Sequence, residues 1–362
     1  MNSDGSTAPG ETMLTSKPSS VALLVLVLLS LNGCGSTAPA AGLATALPAP
    51  QTVILPATPA TTNATRYQIA LVLGKTTDPF YTSMKCGALA KAAELGDVDL
   101  VVEGGSDWNP KLQLPIIDRL VAKKVQAIAV VVNDGKALHQ PLKAAHDAGI
   151  KVLGVDTQLE DTSFQVTNIG SDNYRLGVEA AITLAKLIGD KGTVVTRPPP
   201  KGVGTVGDRI QGFVDEITAS HPDIKIVYTK ELVAGTPVSE QTATYRATLV
   251  AHPDAAGIFT TASDQSEGAA EAVKTLPADR QAQINLVSFD AGPELVDALR
   301  ANQIQVLVAQ KPGEMGALAV EMARRSLRGE RVEKIIPTGG VGLTKQNIDS
   351  PDFSKYLYKS SC

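Results

Sequence analysis

From Gln68 onward, short apolar β-type runs alternate with helical runs, and that alternation leaves few folds open. Gln68 to Leu73 precedes a helical pattern over Pro79 to Leu95. Leu100 to Glu103 precedes Pro110 to Lys124, and Ala127 to Val132 precedes Ala137 to Ala148, with Lys151 to Val155 following. The pattern resumes after Gly170 with Tyr174 to Ile188, Thr193 to Thr196, Arg209 to Ser220, Lys225 to Leu232, Ser239 to Ala251, Gly257 to Thr261, Glu267 to Leu276 and Ile284 to Phe289. Such an order is the signature of βαβ units around a parallel sheet. Roughly 290 residues of it exceed one open sheet, and right-handed crossovers favour an α/β fold of two doubly wound parallel-sheet lobes. Two lobes imply a cleft.

The ends of the strands carry the second signal. IALVLG gives way to Thr76 and Asp78, VLGV to Asp156, GIFTTA to Ser263 and Asp264, LVSF to Asp290, and VLVA to Gln310. In open α/β sheets ligands sit beyond the carboxyl ends of the strands, so these side chains are placed to converge on one crevice.

Composition removes several function classes. With 362 residues, 43% hydrophobic and 19% charged, the chain buries one or two sizeable cores and is not disordered as a whole. A formal net charge of -4, without a Lys/Arg block, leaves no electrostatic footprint for nucleic acid or an anionic membrane surface. Four scattered histidines and no Cys or His pair at ligand spacing argue against a metal site. Three cysteines make no disulfide framework. Cys86 falls within a helical run and Cys362 is the last residue; neither has a His or Cys partner at redox spacing. No nucleophile with a positioned base is visible, so the residues give no signal of an enzyme or of a cofactor.

The amino terminus reads as a targeting segment. Val21 to Leu31 is an apolar run preceded by Lys17 and followed by Asn32-Gly33-Cys34. As a helix it spans roughly 16 Å at about 1.5 Å per residue, short of the ~30 Å hydrocarbon core, which makes it a signal h-region and not a membrane span. Leu31-Asn32-Gly33-Cys34 resembles a bacterial lipobox with an atypical Asn, in which Cys34 is lipidated; ordinary signal-peptidase cleavage and a retained apolar anchor are the alternatives. Residues 1–33 are thus read as signal peptide, with translation starting at Met1 or at Met13. Residues 34–65 are rich in Ala, Pro and Thr and uncharged, an extended tether that holds a domain off the membrane.

Gly202-Val203-Gly204-Thr205-Val206-Gly207 satisfies G-x-G-x-x-G. Pro198-Pro199-Pro200 separates it from the preceding strand, whereas a dinucleotide fingerprint needs the strand to run straight into the turn.

With the strands laid out, the chain from about Arg66 to Thr344 resembles the type I periplasmic-binding-protein family, in particular the sugar receptors of ABC importers related to ribose-binding protein. Seven segments carry the resemblance in order: Ile69 to Gly96, Gly149 to Thr157, Ile169 to Gly177, Asp208 to Phe213, Ala251 to Phe259, Ser288 to Glu294 and Val308 to Gly316.

The resemblance implies a set of ligand contacts. The loop after the first strand supplies polar groups and rings that stack on a sugar, here Thr76, Asp78, Phe80 and Tyr81; aromatic faces suit the C–H faces of a sugar ring, and hydroxyls want charged and amide partners. The other reading of Phe80 and Tyr81 is that of core residues at a helix start. Asp156 and Asp290 match the family carboxylates of the two lobes, and Arg209 matches the arginine of the R-x-x-G-F turn between them. A guanidinium fork of five donors pairs with carboxylates and ligand oxygens together. A lone Asp after a strand also reads as a helix N-cap. Gln310 matches the amide on the last crossing strand, with hinge backbone as its other use.

Asn133 sits in a segment that departs from the family pattern, and Thr157 replaces the arginine found there in ribose-binding protein, so the pocket is not tuned for ribose. After Phe259 the register is open: either Ala262 or Ser263 takes the family's Asn position, or Ser263 and Asp264 take its Asn-Asp pair. Trp108 is expected to pack in a loop, with shielding of the cleft mouth as its other reading.

The resemblance further implies three crossings, near residues 170–171, 310–311 and 338–340. The amino-terminal lobe is then 66–170 with 311–339, and the carboxy-terminal lobe 171–310 with 340–362. Closure about such hinges traps a ligand and presents a changed surface to the permease of an ABC importer. The reading is a monomeric, extracytoplasmic lipoprotein anchored to the membrane that binds a sugar or polyol. A receptor coupled to a membrane sensor kinase is the alternative, and pentose, hexose and short polyol are all open as ligands. A LacI-type regulator would need a helix-turn-helix where this chain has signal and tether.

Overall fold

The computed structural model describes residues 66–199, 204–233 and 235–362. The run Val21 to Leu31, Cys34, the tether and the first two residues of the glycine-rich segment, Gly202 and Val203, lie outside the described residues.

Strand β1 (Tyr67–Leu73) shows why the apolar runs fold as they do. Ile69, Leu71 and Leu73 enter one apolar cluster, and Ala70 and Val72 enter the cluster on the opposite face. A strand buried on both faces has to be apolar at consecutive positions, and only a sheet covered by helices on both sides accepts that. The covering helices come from the crossovers. The chain continues through α1 (Pro79–Leu95), β2 (Val98–Gly104), α2 (Pro110–Ala122), β3 (Ala127–Val130), α3 (His139–Asp147), β4 (Lys151–Val155) and β5 (Asn168–Ser171).

A second set follows: α4 (Asn173–Leu187), β6 (Gly192–Thr196), α5 (Thr205–Ser220), β7 (Ile224–Tyr228), α6 (Val238–Ala251), β8 (Ala255–Thr260), α7 (Ser263–Lys274), α8 (Ala278–Gln281), β9 (Asn285–Phe289), α9 (Pro293–Arg300) and β10 (Val306–Ala309). The chain ends with α10 (Pro312–Leu327), β11 (Ile335–Thr338), β12 (Val341–Leu343) and α11 (Pro351–Ser354).

Two six-stranded sheets result, ordered β11-β5-β4-β3-β1-β2 and β12-β10-β9-β8-β6-β7. Position by position they share one wiring, so β4 and β9 are counterparts, as are β1 and β6. They differ at the edge: β11 pairs with β5 in parallel, and β12 pairs with β10 antiparallel. The chain passes between the sheets after β5, after β10 and between β11 and β12.

The helix pairs α1 with α10 and α4 with α5 pack backbone to backbone. A Cβ on Gly177 of α4 would run into the Arg209 carbonyl of α5, and one on Gly316 of α10 would run into the Met84 carbonyl of α1. Only glycine permits that approach.

Three expectations need correction. Helix α7 begins at Ser263, not near Glu267, because the Ser266 N–H already donates to the Ala262 carbonyl at 3.0 Å. Strand β7 ends at Tyr228, after which the Thr229 N–H makes a last bond to Thr196 and the chain turns away from the sheet. The cysteines are paired: Cys86 in α1 is disulfide-bonded to Cys362 across 276 residues. The carboxy-terminal tail therefore ends on α1.

Candidate functional site

The strand ends meet at a cavity of about 290 Å³ walled by both sheets, at the small end of ligand cavities. The first sheet's side contributes Lys75, Asp78, Phe80, Tyr81, Asp107, Trp108, Asp156 and Thr157. The second contributes Arg197 after β6, Thr205, Val206 and Arg209 of α5, Val233 and Gly235, Ala262 to Gln265, Asp290 after β9, and Gln310 after β10.

Each carboxylate is held by local structure. Asp78 is the N-cap of α1, accepting the Phe80 N–H at 2.8 Å, with Pro79 supplying the first helical position. Asp156 and Asp290 are not helix caps. Both stand in the left-handed region, with φ of 61° and 74°, at the first residue beyond β4 and β9. That conformation is uncommon for any residue but glycine and least costly for Asp and Asn. The Tyr81 hydroxyl donates to Asp156 Oδ2 at 3.1 Å. Asp290 receives Ser263 Oγ on Oδ2 at 3.2 Å, and Gln310 Nε2 and the Tyr358 hydroxyl on Oδ1 at 2.9 and 3.1 Å.

Arg209 lies buried on the same wall. Its guanidinium stacks over the Phe289 ring at 4.3 Å, donates from Nε to Asn173 Oδ1 at 2.8 Å and from Nη1 to the Thr261 carbonyl at 2.7 Å. Two of its five donors are thereby fixed, which orients the plate.

Burial dominates the electrostatics. It pushes Asp156 up to about 6, against Arg209 and the Tyr81 hydroxyl, which pull the other way. It also lifts Asp78 to about 6, opposed by the Phe80 N–H and assisted by the Asp290 charge. Asp264 is raised for the same first reason. Five carboxylates and three cations line the cavity, so the wall is rich in hydrogen-bond acceptors.

Ten of the twelve side chains singled out in the sequence line this cavity: Asp78, Phe80, Tyr81, Asp156, Thr157, Arg209, Ser263, Asp264, Asp290 and Gln310. Phe80 and Tyr81 also belong to the apolar cluster that holds Ile69, Leu71 and Leu73, so wall and core are the same residues there. Thr157 Oγ1 donates to the Val132 carbonyl at 2.7 Å. Gln310 lines the cavity, and its side chain bridges Ser171 Oγ and Asp290 rather than the hinge backbone expected as its other use.

Thr76 and Asn133 are corrections. Thr76 Oγ1 donates to the Gly105 carbonyl at 3.1 Å and Asn133 Nδ2 to the Gly74 carbonyl at 2.9 Å; both hold loop backbone and lie off the wall. Trp108 corrects in the other direction: it lines the cavity, stacked on Tyr81 at 6.1 Å and 23°. After Phe259, Ala262, Ser263 and Asp264 all stand on the wall.

Arg197 was missed although its signal was present, a polar residue directly after the apolar β6. Its Nη2 donates to the Leu232 carbonyl at 2.9 Å, and burial lowers its proton affinity. Val206 and Val233 carry no comparable signal.

Among the described residues no helix is long and apolar enough to cross a membrane, and no group of three or more His, Cys, Asp or Glu is placed to hold a metal ion.

Residues 69–331 match the periplasmic binding protein domain. The ribose import binding protein of Escherichia coli strain K12 is 28% identical over 296 residues, covering 81% of this chain and 96% of that protein. Among solved structures, an ABC transporter solute binding protein from Agrobacterium vitis bound with α-D-tagatopyranose is 35% identical. It superposes with a TM-score of 0.75, covering 81% of this chain and all of that one. A second Agrobacterium vitis solute binding protein, with bound D-fucose, is 26% identical with a TM-score of 0.71, covering 80% of this chain and 99% of that one. Two doubly wound sheets of common wiring, a cavity at their facing strand ends and a domain match over most of the length converge on one assignment: this chain belongs to the periplasmic binding protein family and has its type I fold.

Proposed function

We propose that this chain is the extracytoplasmic sugar-binding component of an ABC importer. It captures an uncharged monosaccharide or polyol between a lobe of residues 66–170 with 311–339 and a lobe of 171–310 with 340 onward. The observation that carries the reading is the pair Asp156 and Asp290, one from each sheet, on the wall of a single cavity with Arg209. A ligand hydroxyl donates to a carboxylate while its oxygen accepts from the guanidinium, each such bond contributing roughly 1.5 to 3 kcal/mol. Trp108 and Tyr81 offer an aromatic face to the C–H side of the ring. Contacts to both lobes favour a closed state, which a permease reads. Thr157, Ser263, Asp264 and Gln310 complete the polar set.

The mature chain begins at a lipidated Cys34, works as a monomer, and residues 34–65 tether it to the membrane. Cys34→Ser moves the protein from the membrane fraction to the soluble one; continued sedimentation with membranes overturns the anchor.

Thermal shifts with D-tagatose, D-fucose and D-ribose test the ligand class, with amino acids and nucleosides as controls. A ligand at 100 times its Kd adds about 2.7 kcal/mol of stability. A response to a sugar is expected, weaker for D-ribose. A response only to amino acids or nucleosides overturns the reading.

A further inference from the structure

We propose that Tyr358 is a positioning residue for ligand binding. It is carried on a carboxy-terminal strap that the Cys86–Cys362 disulfide fastens to the first lobe, and its hydroxyl holds the Asp290 carboxylate in its aim at the cleft. The proposal rests on the reading of Asp290 as a ligand contact.

The direction of the hydrogen bonds defines the role. The Gln310 backbone N–H donates to the Tyr358 hydroxyl at 3.0 Å, so the single phenolic proton is left for Asp290 Oδ1, 3.1 Å away. Tyr358 is buried, with 5% exposure, and its ring meets Phe80 edge-on at 5.5 Å. Two side-chain torsions locked by that packing make the phenol a stiff support for a carboxylate whose own backbone stands at φ 74°.

The strap spans the lobes in five residues. The Tyr358 N–H donates to the Ala291 carbonyl at 3.0 Å, beside Asp290, and the next residue, Lys359, donates its N–H to Ser83 Oγ of α1 at 2.7 Å. Three residues further on, Cys362 is bonded to Cys86 on the same helix. Upstream of Tyr358, α11 buries no residue, while Phe353, Tyr356 and Leu357 pack half-buried against the core. Beyond the buried Tyr358 the last four residues are exposed, and the disulfide ties down a chain end that would otherwise fray. The strap is thus a link between the lobes besides the three crossings, and it ends under a binding-site carboxylate.

Tyr358→Phe keeps the ring and removes the proton, and Cys86→Ser/Cys362→Ser keeps the phenol and releases the strap. Calorimetric titration with D-tagatose, D-fucose and D-ribose reads affinity, and hydrogen exchange of the ligand-free protein reads protection over 286–292 and 306–312. Tyr358→Phe is expected to weaken the best sugar about tenfold or more with a thermal midpoint within a few degrees of wild type. The double variant is expected to weaken it threefold or more, and both variants to speed exchange around Asp290. A strap that only fills space would be rescued by Phe, so affinity within twofold of wild type in Tyr358→Phe overturns the positioning role; the same result in the double variant overturns the fastening. If the wild type binds none of the three sugars, the ligand reading fails, and exchange alone decides: unchanged protection around Asp290 in both variants then overturns the strap.

Discussion

Asp156 and Asp290 are counterparts, each the first residue beyond the corresponding strand of its sheet and each in the left-handed backbone region. Their conformation separates two kinds of substitution. Alanine removes the acceptor and pays the left-handed penalty of roughly 1 to 2 kcal/mol, whereas asparagine tolerates the backbone and keeps one oxygen. Asp156→Ala and Asp290→Ala are expected to weaken the best sugar at least a hundredfold and to lower the denaturation midpoint. The asparagine variants should lose affinity with the midpoint nearly intact. Titration calorimetry and urea denaturation of the four variants check both halves.

The raised carboxyls give opposite pH signs to stability and binding. Asp78 and Asp156 bind protons up to about pH 6 in the folded state but release them near 3.8 when unfolded. The folded state therefore holds more protons in that window, and ligand-free stability falls as pH rises from about 4 to about 6. A hydroxyl donor needs the ionised carboxylate, so sugar affinity should rise over the same window and level off above it, by up to about tenfold per pH unit for each group. Titrations at pH 5 and pH 7.5 decide; equal affinities contradict the assignment.

Gly177 reaches the site through the backbone of its neighbour. A methyl group there meets the Arg209 carbonyl, so Gly177→Ala must push α5 away and carry Arg209 with it. Overpacking of this kind costs about 1 to 3 kcal/mol. We expect a lowered denaturation midpoint together with a several-fold loss of sugar affinity, although the residue is absent from the cavity wall. A stable variant with full affinity would show that α5 absorbs the methyl group without moving the guanidinium.

Trp108 is the single tryptophan of the sequence and lines the cavity against Tyr81. Ligand binding should change the intrinsic fluorescence of the wild type, and Trp108→Ala should lose both the signal and about tenfold in affinity by calorimetry. An unchanged spectrum at saturating sugar would take the indole off the ligand's path.

Most of the architecture was legible because a doubly covered parallel strand imposes its own pattern. Continuous apolar runs such as Ile69 to Leu73, separated by helical stretches, have few other ways to be buried. The cavity wall was legible where a polar residue directly ends such a run, as at Asp156, Asp290 and Gln310. Arg197 obeys the same rule after β6, but the three prolines that follow it mark a loop rather than a strand end. Trp108 and Val233 enter the wall from loops whose path is set by tertiary contacts, and no local pattern marks them. Thr76 and Asn133 were drawn in by position, but turn backbone claimed their side chains first. The disulfide was invisible for a simpler reason: 276 residues separate its cysteines, and only the folded tail brings them together.

Carboxylates outnumber cations on the cavity wall by five to three. On the proposed function, uronates, sugar phosphates and other anionic sugars would be disfavoured there against their uncharged parents. A cargo selected in that way would enter unactivated, its phosphorylation or oxidation left to enzymes that act after uptake.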